Sequence, residues 1–155
     1  MKKIQSSRPS PLPSGPGLGH KGLILYVEDE DENWLVAELL LRRSYNLLRA
    51  RDDREACALI NEKRDAIEAV LMDIQLAGSV LDGLKLTRLL KGRLGASEMP
   101  SYARMVRKID VPVIFVTAYG SRYTESDLIA SGGDAMLPKP VDFVQLTSTL
   151  SRLGA

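Results

Sequence analysis

Four polar positions in this 155-residue chain follow apolar runs, and their residue types suit the transfer of a charged group. Glu28 and Asp29 follow Leu23-Ile-Leu-Tyr-Val, and Asp73 closes Ala69-Val-Leu-Met. Thr117 follows Val113-Ile-Phe-Val, and Lys139-Pro140 follow Ala135-Met-Leu-Pro. If these runs are parallel strands, their carboxyl ends share one sheet edge, gathering three carboxylates, a hydroxyl and an ammonium. Clustered carboxylates raise one another's proton affinity unless a cation sits among them. All-oxygen donors without His or Cys suit a hard ion, and a few carboxylates leaving room for water suit Mg²⁺ better than a calcium cage. In that setting Asp73 is a carboxylate nucleophile for a phosphoryl group. Lys139 and the metal would neutralise the growing charge, and the Thr117 hydroxyl would donate to a phosphoryl oxygen. Plainer alternatives stand beside this. Glu28-Asp29-Glu30-Asp31-Glu32 also reads as a solvated loop entering a helix, where negative charge is favoured, and Asp73 with Lys139 as a structural ion pair. The Lys139-Pro140 bond is open to the cis form, which would fix where the lysine points, or belongs to an ordinary turn.

The elements that must position these groups alternate from Gly22 onward. Strands are expected near 23–28, 46–50, 69–73, 112–117 and 134–137. Helices are expected near 31–43, 53–63, 83–93, 125–131 and 141–152, with Asp31, Asp53 and Asp142 in capping positions. Five strands alternating with five helices predict a parallel α/β sheet, and right-handed crossovers point the strands one way. The 17 residues from Arg93 to Ile109 are long for a connection in a domain of this size. They read as an insertion at 93–109 between helix 3 and strand 4, able to form a helical turn or two, or else as an extended helix or a mobile loop.

Composition sets outer bounds. At 45% hydrophobic and 26% charged residues the chain as a whole is neither fibrous nor disordered, and 155 residues suffice for one folded unit. Apolar stretches fall well short of the roughly 20 residues of a membrane span, and no signal-peptide core is seen, so a cytoplasmic location is expected. Residues 1–20 hold four prolines among Ser and Gly and predict a disordered basic tail. With Lys21, this end carries four cations and no acid. A second basic stretch, Lys91 to Lys108, has five cations and only Glu98. Neither carries a nucleic-acid motif, and both read as solvated surface. Cys57, the sole cysteine, cannot form an internal disulfide and reads as a small buried hydrophobe. His20, the sole histidine, lies in the tail, so the chain holds no histidine pair for catalysis.

The ordered motifs Ile24-Leu-Tyr-Val-Glu-Asp-Glu, Leu71-Met-Asp-Ile-Gln-Leu, Leu81-Asp-Gly-Leu, Val116-Thr-Ala and Leu137-Pro-Lys-Pro resemble the receiver domain of bacterial two-component response regulators. The likeness covers about residues 22–153. It implies a flavodoxin-like (βα)5 sandwich with strand order 2-1-3-4-5, and a domain spanning 21–155. It also implies that Asp73 accepts the phosphoryl group, with Asp29 a direct Mg²⁺ ligand, Glu28 acting largely through water, and Asp73 and the Gln75 backbone carbonyl completing the set. Thr117 would be the switch hydroxyl and Lys139 the lysine that contacts the phosphoryl group. The donor implied is a phosphohistidine on a histidine kinase or phosphotransfer protein.

Three departures accompany the resemblance. The loop after Asp73 is about one residue longer than usual and lacks its common proline. Met136 stands three residues before Lys139, where an aromatic switch residue is usual, so Tyr119 or Tyr123 could take part in coupling. The third is the basic insertion. Because the sequence ends at Ala155, directly after the last helix, a stand-alone receiver or a piece of something longer is expected, with no DNA-binding output domain. It would dock on a downstream protein target or act as a phosphate relay. Two other classes compete. A receiver-like scaffold would bind partners without phosphorylation. A phosphohydrolase forming an aspartyl-phosphate would need a second Asp two residues after the nucleophile, where this chain has Gln75.

Overall fold

Each strand of the sheet sends alternate side chains to opposite faces, and both faces are covered, which is why the inner strands read as continuous apolar runs. The computed structural model describes residues 21–118 and 122–154. The strands are β1 Gly22–Val27, β2 Tyr45–Ala50, β3 Ile67–Asp73, β4 Val113–Thr117 and β5 Ala135–Pro138. Alternating with them are α1 Asp31–Leu41, α2 Asp53–Lys63, α3 Gly83–Leu90, α4 Glu125–Ala130 and α5 Phe143–Arg152. The strands form one parallel sheet in the order β2-β1-β3-β4-β5. This is the flavodoxin-like topology expected from the motifs.

Two cores flank the sheet. Ile24, Tyr26, Leu71, Ile114 and Val116 point to the side covered by α1 and α5, where Ala37, Leu41, Leu146 and Leu150 meet them. Leu25, Val27, Val70, Met72 and Phe115 point to the other, packed by Ala56 and Ile60 of α2, Leu86 and Leu90 of α3, and Leu128 of α4. Cys57 lies in this second core, free and buried, and burial followed by the neighbouring Asp53 and Asp52 pushes its thiol up to about 11. No helix among the described residues is long and apolar enough to cross a membrane. The tail, His20 and Tyr119 lie outside the described residues.

Helix boundaries correct the sequence reading in three places. α3 stops at Leu90 rather than 93 because Gly92 takes a left-handed conformation, φ 73°, that ends a helix. α2 is capped by Asp52, whose carboxylate accepts from the Glu55 N–H at 2.8 Å, and not by Asp53. Asp31 is no cap either, since α1 begins after Glu30, which makes no side-chain cap bond. Asp31 instead binds Arg49 at 2.7 Å and Arg51 at 2.8 Å, and those guanidinium groups hold its carboxyl below the usual range. Asp142 does cap α5, accepting from the Gln145 N–H at 2.9 Å.

The connection from α3 to β4 is neither an extended helix nor a bare loop. It holds two short 3-10 turns, Ala96–Glu98 and Ser101–Ala103. Leu94, Ala103, Val106 and Ile109 are buried in the second core, with Met99 and Tyr102 packed against it. Arg64 of the α2 end donates to the carbonyls of Arg107 and Lys108 at 2.7 and 3.0 Å, tying the basic end of the segment down.

Candidate functional site

The carboxyl ends of β1, β3, β4 and β5 open into one cleft of about 1130 Å³, lined by Asp29, Asp73, Gln75, Thr117 and Lys139 among others. Glu28 stands at its base, fully buried. A buried carboxylate needs donors, and Glu28 has three: the Tyr26 hydroxyl at 3.0 Å, the Glu30 N–H at 3.0 Å and the Lys139 ammonium at 2.9 Å. Burial first, and then Glu28, push the Tyr26 phenol up, so it remains a donor to this carboxylate. Lys139 also reaches Asp73 Oδ1 at 3.2 Å and so bridges both acids. Burial favours loss of the Lys139 proton, but Glu28 and Asp73 outweigh it and hold the ammonium above its ordinary range.

Asp73 ends β3 with its side chain half-buried, and Oδ1 accepts from both the Ile74 N–H at 2.9 Å and Lys139. Burial and the Glu28 charge push its carboxyl up to about 7, against the opposing pull of Lys139. Glu28, Asp29 and Asp73 each present an oxygen within 4.8 Å of the others, the one such acidic group among the described residues. The sequence-selected residues Glu28, Asp29, Asp73, Gln75, Thr117 and Lys139 therefore come to one place. Thr117 sits half-buried on the wall, its carbonyl accepting from the Lys139 N–H at 2.8 Å. Gln75 is exposed at the rim. The Lys139-Pro140 bond is cis.

Glycine 83 is what allows Asp73 its position. A Cβ there would overlap the Asp73 carbonyl oxygen and lie 2.7 Å from Ile74 Cα. The Gly83 N–H also donates to the Ile74 carbonyl at 2.7 Å. Gly83→Ala must push α3 away from the end of β3. It is expected to lower stability by about 3 kcal/mol, the upper range for overpacking, read by urea denaturation. An unchanged midpoint would show that the two segments part easily.

Met136 lies on β5 opposite Phe115 of β4 and packs against the second core. Tyr123 is half-buried against the same core and also lines the cleft, beside the exposed Arg122, whose guanidinium lies 5.8 Å from its ring centre.

The loop 74–82 shows what the sequence reading missed. It hangs between Asp29, which accepts from the Ala77 N–H at 3.1 Å, and Asp53, which accepts from the Leu81 N–H at 2.9 Å. Asp53 also takes the Tyr102 hydroxyl as a donor, and its own N–H donates to Ser79 Oγ at 3.0 Å. Burial and the bond to Asp53 push the Tyr102 phenol up. One signal was available: Asp52 with Glu55 three residues on is the cap pattern, which leaves Asp53 without a capping task.

Parallel strands in this order, with an acidic cleft at their carboxyl ends, define a receiver-type fold. The response regulator receiver domain family matches residues 24–151, and the chain belongs to it. It is 30% identical over 118 residues to the uncharacterized transcriptional regulatory protein YrkP of Bacillus subtilis, which covers 76% of this chain and 42% of that one. It is 32% identical to the nitrogen assimilation regulatory protein NtrX of Azorhizobium caulinodans, over 83% of this chain and 25% of that protein. Among solved structures, the receiver domain of NtrX from Brucella abortus superposes with a TM-score of 0.62 at 31% identity, over 83% of this chain and 95% of that one.

These relatives correct one expectation. No DNA-binding output domain was expected, but the proteins the chain matches include transcriptional regulatory proteins, and the chain spans only a quarter to two fifths of their length. The physical reason is that a receiver's core and cleft are complete in themselves. Residues 22–153 look the same whether or not an output module is joined to them, and the end at Ala155 carries no weight.

Proposed function

We propose that this receiver accepts a phosphoryl group on Asp73 in a Mg²⁺-dependent reaction and so acts as a switch in a two-component phosphorelay. The observation that carries the reading is the strained charge of the cleft. Three carboxylates face one ammonium, and Asp73 is pushed up to about 7 by burial and Glu28. Such a site is relieved by a cation, and its all-oxygen donors fit a hard one. Asp29, Asp73, the Gln75 carbonyl and, through water, Glu28 would hold Mg²⁺, which when bound supplies charge neutralisation for the transferring phosphoryl group.

The chain's own residues do the rest. An ionised Asp73 oxygen forms the bond to phosphorus as the donor's phosphorus–nitrogen bond breaks, and the departing imidazole of a partner's phosphohistidine keeps the electron pair and takes a proton. Lys139, already bridging Glu28 and Asp73, stays with the more negative phosphoaspartate, and Thr117 on the facing wall donates its hydroxyl to a phosphoryl oxygen. A phosphoryl group with several acceptor oxygens draws these walls inward, and that movement alters which proteins the domain binds.

The test is incubation with Mg²⁺ and acetyl phosphate followed by intact mass. One added phosphoryl group is expected in the wild type and none in Asp73→Asn. No adduct under several donors, with no Mg²⁺ binding, would leave a scaffold that binds partners unphosphorylated. Steady phosphate release from unrelated phosphoesters would point to a hydrolase instead.

A further inference from the structure

We propose that Asp53 and Tyr102 are positioning residues for the metal-binding loop 74–82, so that the segment between α3 and β4 braces the phosphoacceptor site from outside. The inference rests on the reading above for the role of Mg²⁺, and on geometry for the rest. Neither residue lines the cleft. Asp53 is 2% exposed, and its Oδ2 accepts from both the Leu81 N–H and the Tyr102 hydroxyl. Its N–H holds Ser79. Two points of the loop are thus fixed to one residue at the start of α2.

On the cleft side the loop is held differently. The Ala77 N–H donates to Oδ2 of Asp29, a member of the acidic group suited to a cation. Asp29 would share that carboxylate with a bound cation, which would leave the Ala77 tie weaker while the Gln75 carbonyl is needed in place. The hold on the loop then falls to Asp53. A buried carboxylate keeps its place only while charge-assisted donors satisfy it. Tyr102 supplies one of them from 49 residues away, its ring stacked under the Arg54 guanidinium at 4.5 Å. Without that hydroxyl, Asp53 turns toward water and releases Leu81. The longer loop and the inserted segment, which look like separate irregularities in the sequence, are two halves of one clamp.

Tyr102→Phe removes one hydroxyl and leaves the ring and the Arg54 stacking, so it tests positioning without unfolding the chain. Asp53→Asn is the second variant. Three readouts on the full chain are compared: amide hydrogen exchange of residues 74–82 without metal, Mg²⁺ affinity followed by Trp34 fluorescence, and the urea midpoint. Tyr102→Phe is expected to weaken Mg²⁺ binding about tenfold, the low end for loss of an outer-shell partner. Exchange at Ala77 and Leu81 should quicken while core strands keep their protection. Asp53→Asn added to Tyr102→Phe should weaken Mg²⁺ binding little further, because the pair acts as a unit. Unchanged Mg²⁺ affinity and unchanged loop exchange in Tyr102→Phe would overturn the clamp, as would exchange that rises only in step with a lowered midpoint. If the wild type binds no Mg²⁺, the metal reading fails, and loop exchange alone decides the clamp.

Discussion

Asp73→Asn is expected to make the metal-free protein more stable at pH 8, by about 2 kcal/mol. The folded carboxyl titrates at about 7 because burial and Glu28 oppose its ionisation. In the unfolded chain an aspartate titrates near 3.9. A folded pKa raised above the unfolded one contributes stability that is complete below about pH 4 and is lost as pH rises through about 7. Three units would correspond to about 4 kcal/mol as a ceiling, and screening at the cleft mouth reduces it. Asparagine resembles the protonated form and keeps an oxygen for the Ile74 N–H and Lys139. The wild type should therefore lose stability between pH 4 and 7 relative to the variant, and Mg²⁺ should restore it in the wild type alone. Urea titrations at pH 5 and pH 8 decide this. A variant no more stable than the wild type at pH 8 without metal would mean that Lys139 already neutralises the site.

Lys139→Met carries the opposite sign from the same cleft. It keeps the aliphatic stem and removes the charge that bridges Glu28 at 2.9 Å and Asp73 at 3.2 Å. Glu28, fully buried, then faces Asp73 with no ammonium between them. Removing one partner of a buried pair costs about 3–5 kcal/mol. A loss of about 3 kcal/mol is expected at pH 8 without metal, and a smaller one at pH 5, where Asp73 takes up its proton. Combining the variant with Asp73→Asn should recover much of the loss, a coupling that a double-mutant cycle measures directly. Equal losses at both pH values, or additive effects, would sink the claim that the two carboxylates compete for one cation.

The residues that met at one sheet edge were legible because parallel strands buried on both faces stand out as apolar runs, and the polar residue after each run marks its carboxyl end. Order and direction followed from crossover handedness and from the motifs. What the sequence did not show depends on contacts between distant segments. Asp52 and Asp53 are chemically identical neighbours, yet one turns outward to cap α2 and the other inward to Leu81 and Tyr102. Tyr102 lies in a stretch whose own pattern is basic and irregular, and its partner is 49 residues away. The end of α3 was misjudged because the helical pattern runs on past Gly92, whose left-handed backbone stops it. No residue of a receiver reports what is attached to it, so the relatives, not the pattern, corrected the expectation about an output domain.

The bridging lysine also bears on how the chain is made. Glu28, Asp73, Thr117 and Lys139 emerge from the ribosome in that order, and the ammonium belongs to the residue directly after the last strand, β5, Ala135–Pro138. A domain folds as a unit, and this one is without its last strand until synthesis is nearly complete. A nascent chain that has laid down β1 to β4 still lacks the ammonium that bridges Glu28 and Asp73. The bridge between Glu28 and Asp73 forms only once the residue after the final strand is in place, so a ribosome-bound or C-terminally clipped fragment lacking Lys139 carries a still more negative site, however complete its other strands.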